Sequence, residues 1–174
     1  MSVKVLVRYA IFLALAYVFP FLTGEIPQIG SMLCPMHIPV ILCGFICGWK
    51  YGLIIGLISP LLRSFTISMP PFFPTATAMS FELAAYGVFS GLLYNGLPKK
   101  KISIYISLIC SMVIGRIIWG TVMFALMGFN PNNFGLTTFW FGAFANAIPG
   151  IILQIVFIPS VIIIYERFSK HDNI

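Results

Sequence analysis

Long apolar runs separated by short polar punctuation dominate this chain. The run of about 18 residues from Val5 to Leu22 is close to the ~20 residues that a helix needs to cross hydrocarbon, and it predicts a first span over residues 4–23. A polar connector with Gly24, Glu25, Pro27, Gln28 and Gly30 follows. A second span is predicted over residues 32–48, a tight turn over Trp49, Lys50, Tyr51 and Gly52, and a third span over 53–67 with Pro60 inside it. The second and third also read as one broken element. Met69-Pro70-Pro71-Phe72-Phe73-Pro74 cannot be helical throughout, because proline locks φ and removes the N–H donor. A fourth span covers 75–94 and ends at Gly96, Pro98 and Lys99 to Lys101. The fifth covers 102–127, Asn130-Pro131-Asn132-Asn133 marks a loop, and the sixth covers 137–165, with kinks expected at Pro149 and Pro159. The pattern predicts an all-α membrane protein: six transmembrane helices in one bundle, a single domain over residues 1–174, with no linker and no internal repeat. No A-x-A-like site follows the first run, so that run is expected to be retained rather than removed as a signal.

Composition sharpens this reading. Of 174 residues 60% are hydrophobic and 8% charged, and the mean hydropathy is +1.03. Soluble domains carry about 25% charged residues, so a water-soluble enzyme or DNA-binding protein is excluded. Disorder is excluded by the apolar content. The net charge of +6 would suggest nucleic acid in a soluble protein; here it reports orientation and no nucleic-acid partner. With six spans, Lys4, Arg8, Lys50, Lys99, Lys100, Lys101, Arg167 and Lys170 all fall on one side and the opposite loops hold no Lys or Arg. Cytoplasmic loops collect Lys and Arg, so both termini are expected in the cytoplasm of a bacterial plasma-membrane protein. Cys34, Cys43, Cys47 and Cys110 sit in apolar stretches and read as small hydrophobes, with neither a disulfide framework nor a metal site implied.

The other two basic residues, Arg63 and Arg116, lie inside spans, together with His37, Glu82 and Asn146. Ionisable groups in hydrocarbon cost a few kcal/mol or more and normally face a cavity or a partner. Counted from the span ends, His37 lies about 7 Å in, at ~1.5 Å per residue. All five side chains fall in the outer half of the membrane, which predicts a pocket opening outward. Gln154 lies deeper, outside this set. The inner half is small and apolar, with Gly44, Gly48, Gly52 and Gly56 spaced for close helix packing, so a continuous pore is poorly supported. Structural readings stand beside each ligand role. Arg116 pairs with Glu82, or meets a ligand carboxylate that displaces Glu82. His37 hydrogen-bonds the backbone, Arg63 snorkels to headgroups, and Asn146 joins helices. Phe72, Phe73, Tyr86 and Trp140 suit an interfacial belt, whereas Trp119, at i+3 from Arg116, suits the pocket. There is no phosphate-binding loop, no H-E-x-x-H and no G-x-S-x-G, so no ATPase, metal centre, cofactor or catalytic residue is expected.

Residues Ala10-Ile11-Phe12-Leu13-Ala14 form an A-x-x-x-A pattern in the first span, and Met36-His37-Ile38-Pro39-Val40, Gly44 to Gly56 and Pro60-Leu61-Leu62-Arg63-Ser64 follow in the next two. With the span count and charge asymmetry, the chain resembles the S component of an energy-coupling factor (ECF) vitamin transporter, of the pantothenate and hydroxymethylpyrimidine type, over nearly its whole length. The resemblance implies a substrate-binding membrane subunit without enzymatic activity. Such a subunit captures a vitamin outside and topples on a transmembrane T subunit driven by two cytoplasmic ATPases. It places Ala10 and Ala14 at the T subunit, Pro70 to Pro74 over the site as a lid, and Glu82, Tyr86, Arg116, Trp119 and Asn146 in its wall. His37, Arg63 and Phe73 complete the candidate substrate contacts. Pantothenate fits first, with its carboxylate on Arg116; a pyridoxine-like or pyrimidine ring stacked on Trp119 or Phe73 fits nearly as well. The rival functions are a stand-alone carrier or oligomeric channel, which needs polar residues through both membrane halves, and an intramembrane enzyme using His37 and Glu82.

Overall fold

A computed structural model describes residues 3–23, 32–98, 100–128 and 147–171. Among these residues there are six α-helices and no strand. Helix α1 covers Val3–Val18 and tightens into a 3₁₀ turn, Phe19–Thr23, that accommodates Pro20. Helix α2 covers His37–Cys47, α3 Trp49–Ile67, α4 Thr77–Gly96, α5 Lys101–Met127 and α6 Ile148–His171. Four stretches are long and apolar enough to cross a membrane: Trp49–Ile67, Phe72–Gly96, Lys101–Met127 and Ile148–Phe168. Leu6–Leu22 and His37–Cys47 are shorter apolar helices.

Three expectations change. The second span shrinks to the 11 residues of α2, about 16 Å at 1.5 Å per residue. It is buried from His37 to Phe45, enclosed by α1, α3, α4 and α6 rather than set against lipid. The break to α3 is one residue, Gly48, at φ +96°, a backbone region that strongly favours glycine. Trp49 to Gly52 are therefore the first turn of α3, not a loop. At the other end of the chain α6 runs to His171 instead of stopping at Tyr165, and the first ten residues of the expected sixth span, 137–146, lie outside the described residues. Pro149 falls in the first turn of α6, where its missing N–H interrupts nothing. Between α3 and α4 the chain makes one wide turn over Phe72–Ala76, in which Phe73 is extended.

The helices enclose an apolar core, with Ile41, Leu83, Leu108 and Ile158 inside, and carry apolar side chains on the outside as well. On α5 the isoleucines Ile102, Ile106, Ile109 and Ile117 point outward, while Ser103, Ser107, Ser111 and Gly115 recur every four residues on the buried face. The half of the bundle that the sequence reading takes as inner thus holds more polar groups than that reading allowed. Ser103 and Ser111 donate to carbonyls of Pro98 and Leu108, so their hydroxyls are absorbed locally. Helices in lipid gain from close backbone approach more than from burying apolar area, and α3 and α4 show it. A Cβ on Gly52 would lie 2.6 Å from the Gly87 carbonyl oxygen, and one on Gly56 2.5 Å from the Ala84 nitrogen. Near the C-terminal end of α4, Tyr94 donates to Glu166, tying α4 to α6, and meets Phe45 of α2 edge-on at 5.1 Å.

Gly52→Leu or Gly56→Leu is expected to separate α3 from α4. Overpacking costs about 1–3 kcal/mol where side chains can give way, and here the opposing atoms are backbone. Size-exclusion profiles and thermal midpoints in detergent check this, with Gly96→Ala, whose surroundings are open, expected to leave both unchanged.

Candidate functional site

The buried charges meet where α2, α4 and α5 converge. Cys34 stands at φ +47° and its carbonyl accepts the His37 N–H at 3.0 Å, so a tight turn sets the imidazole at the start of α2. Pro39 is tolerated there because the first-turn N–H groups have no helical acceptor. Glu82 sits in the second turn of α4, and Tyr86 lies one turn further on the same face. Arg116 lies in the middle of α5. The Tyr86 ring packs against Gly115, where any side chain would collide with it.

All three partners address one atom, Oε1 of Glu82. The Tyr86 hydroxyl donates to it at 2.8 Å, Arg116 Nη1 pairs with it at 2.9 Å, and His37 Nε2 stands at 3.5 Å. Arg116 Nη2 also donates to Cys34 Sγ at 3.6 Å, and the His37 and Tyr86 rings are tilted with centroids 5.2 Å apart. Glu82 is 1% exposed, His37 2% and Arg116 8%. One carboxylate and one guanidinium cancel, which is what a low-dielectric interior requires. Neither nitrogen of His37 makes a hydrogen bond among the described residues. Buried polar groups are nearly always satisfied, so such a group marks a site with unfilled capacity. An apolar cleft of about 220 Å³, lined by Ile109, Met112 and Val113 of α5 and by Ile151 and Ile155 of α6, reaches Arg116.

The expected set divides here. His37, Glu82, Tyr86 and Arg116 come together. Arg63 is buried at a different junction: its Nη1 donates to the Tyr17 carbonyl at 3.1 Å, and its guanidinium lies 4.8 Å from the Phe21 ring centroid. It joins α3 to the end of α1 rather than snorkelling to headgroups. Trp119 is half-buried in a small cluster with Ala78 and Met123. Phe73 is 60% exposed. Asn146 lies outside the described residues. Ala10 and Ala14 are exposed on α1, beside Leu6, Val7, Ile11 and Val18, on an open face. The sequence reading missed Cys34 as an Arg116 partner, since a cysteine in an apolar run looks the same whether or not a guanidinium faces it. Gln154 proves fully buried, with its Oε1 unpartnered among the described residues.

Apolar-faced helices around a buried ion pair, Glu82 with Arg116, are the pattern of a membrane protein. A family model described as ECF transporter, substrate-specific component, matches residues 4–162, and the chain belongs to that family. Neither the curated proteins nor the solved structures provide a match. The chain is thus a multi-pass membrane protein and the substrate-binding component of a transporter, a family of binders rather than enzymes.

Removing one partner of a buried ion pair costs about 3–5 kcal/mol. Glu82→Ala and Arg116→Ala are each expected to lose about that much in unfolding measurements, while the double variant carrying both alanines loses clearly less than the sum. Additive losses would show that the two residues are not coupled.

Proposed function

We propose that the chain captures a small vitamin bearing a carboxylate, with pantothenate ranked first, from outside the bacterial plasma membrane. It crosses the membrane six times with both termini in the cytoplasm, and it delivers the solute by reorienting on a transmembrane T subunit powered by two cytoplasmic ATPases. The observation that carries this reading is the buried Arg116–Glu82 pair. In the unliganded chain Glu82 occupies the guanidinium, and a ligand carboxylate takes its place by forming a charge-assisted hydrogen bond. His37 and Tyr86 offer hydrogen bonds to the ligand's polar groups. Trp119 and Asn146 complete the wall, Phe73 belongs to the lid, and Arg63 holds the outer end of α3 in position. The open face of α1 around Ala10 and Ala14 is the docking surface for the T subunit, where small residues permit close helix approach. Reorientation of the whole bundle would deliver the solute without a polar path through the inner half.

Pantothenate is expected to bind the purified chain, and mass spectrometry of the co-purifying small molecule tests the ligand directly. The paired variant Glu82→Gln with Arg116→Met, chosen because it leaves no lone buried charge, should bind at least a hundredfold more weakly. Unchanged affinity would remove Arg116 from the site. Ala10→Trp with Ala14→Trp should retain binding but stop uptake in cells that carry the T subunit and ATPases. Unaided transport by the isolated chain in liposomes would favour the stand-alone carrier.

A further inference from the structure

The charge count at the cluster has a consequence for any anion that enters it. The unliganded site is balanced, with Glu82 against Arg116 at 2.9 Å. A ligand carboxylate placed on Arg116 adds a second negative charge to a space in which Glu82 is 1% exposed. An uncompensated ion in such surroundings costs several kcal/mol. The site contains a built remedy: His37, 2% exposed, with neither ring nitrogen hydrogen-bonded among the described residues and Nε2 3.5 Å from Glu82 Oε1. Resting on the carboxylate-ligand reading above, we infer that ligand binding is coupled to the uptake of one proton by the His37–Glu82 pair.

The groups facing His37 account for the balance. From α4 come Glu82 and Tyr86, from α5 comes Arg116 through Glu82, and Cys34 precedes His37 on its own segment. From α3, Arg63 is engaged with the Tyr17 carbonyl of α1. The core-facing polar group of α6 nearest this half is the neutral Gln154, and its Glu166 is bonded to Tyr94 near the far end. When the ligand carboxylate moves onto Arg116, one proton from solvent joins the pair. The cluster then holds Arg116⁺ with the ligand anion, and either His37⁺ with Glu82⁻ or neutral His37 with protonated Glu82. Net charge is zero before and after.

Calorimetric titration of the purified chain with pantothenate, in phosphate and in Tris, reads the proton directly through the difference in buffer ionisation heat. At alkaline pH the expected result is uptake of about one proton per ligand. Because the liganded state holds the extra proton, Kd should rise by about tenfold per pH unit as pH increases. The infrared band of pantothenate labelled with carbon-13 at its carboxylate should remain that of the ionised group. Equal heats in the two buffers with a flat Kd would overturn the inference while leaving the ligand reading intact, and a protonated ligand band would also overturn it. No binding at any pH would overturn the ligand reading and the coupling with it. Glu82→Gln removes the competing anion and should bind with no proton uptake; full uptake in that variant would refute the pair as acceptor. The wild-type measurement decides alone should Glu82→Gln fail to fold.

Discussion

One carboxylate oxygen organises the interior of this protein. Oε1 of Glu82 receives the Tyr86 hydroxyl and the Arg116 guanidinium and faces His37, joining α2, α4 and α5 through a single atom. A lone arginine at this depth would be an uncompensated charge in hydrocarbon, and a lone glutamate equally so. Their mutual neutralisation is the condition under which the three helices can share a core. It is also the contact at which the proposed ligand carboxylate would bind, so on that proposal structure and binding draw on the same pair.

The packing around that atom follows from the solvent being lipid. Apolar side chains gain little by turning inward when the outside is apolar too. Ile102, Ile106, Ile109 and Ile117 therefore line the outside of α5, while its inner face mixes serines and glycine with Ile104, Leu108 and Met112. Glycines on α3 and α4 bring the two backbones into contact. That closeness fixes α4 in place, and with it the direction of Glu82. On the same α5 face, Gly115 gives the Tyr86 ring the room it needs to reach Glu82. Small residues thus act on the site at one remove, by positioning the helices that carry its charges.

Family membership places the chain among substrate-binding components, and the arrangement suits such a task. Among the described residues His37, Glu82 and Arg116 gather in one buried cluster, and the alanine-bearing face of α1 is exposed.

How much of this was legible beforehand depends on what each residue pattern encodes. Hydropathy encodes insertion into lipid, so the apolar runs and the membrane class were readable from composition and order alone, while the ends of the second run and of the last helix were not. The rarity of charge in those runs singled out Glu82 and Arg116. Rotation about the helix axis was not readable, because a helix that is apolar all round carries no amphipathic stripe to say which face turns inward. For that reason only the assembled bundle showed α2 enclosed, Arg63 held by the end of α1, Cys34 turned to Arg116, and Trp119 and Phe73 placed in other surroundings. Sequence order determined that these helices enter the membrane; backbone-to-backbone packing at glycine and serine decided which side chains meet inside it.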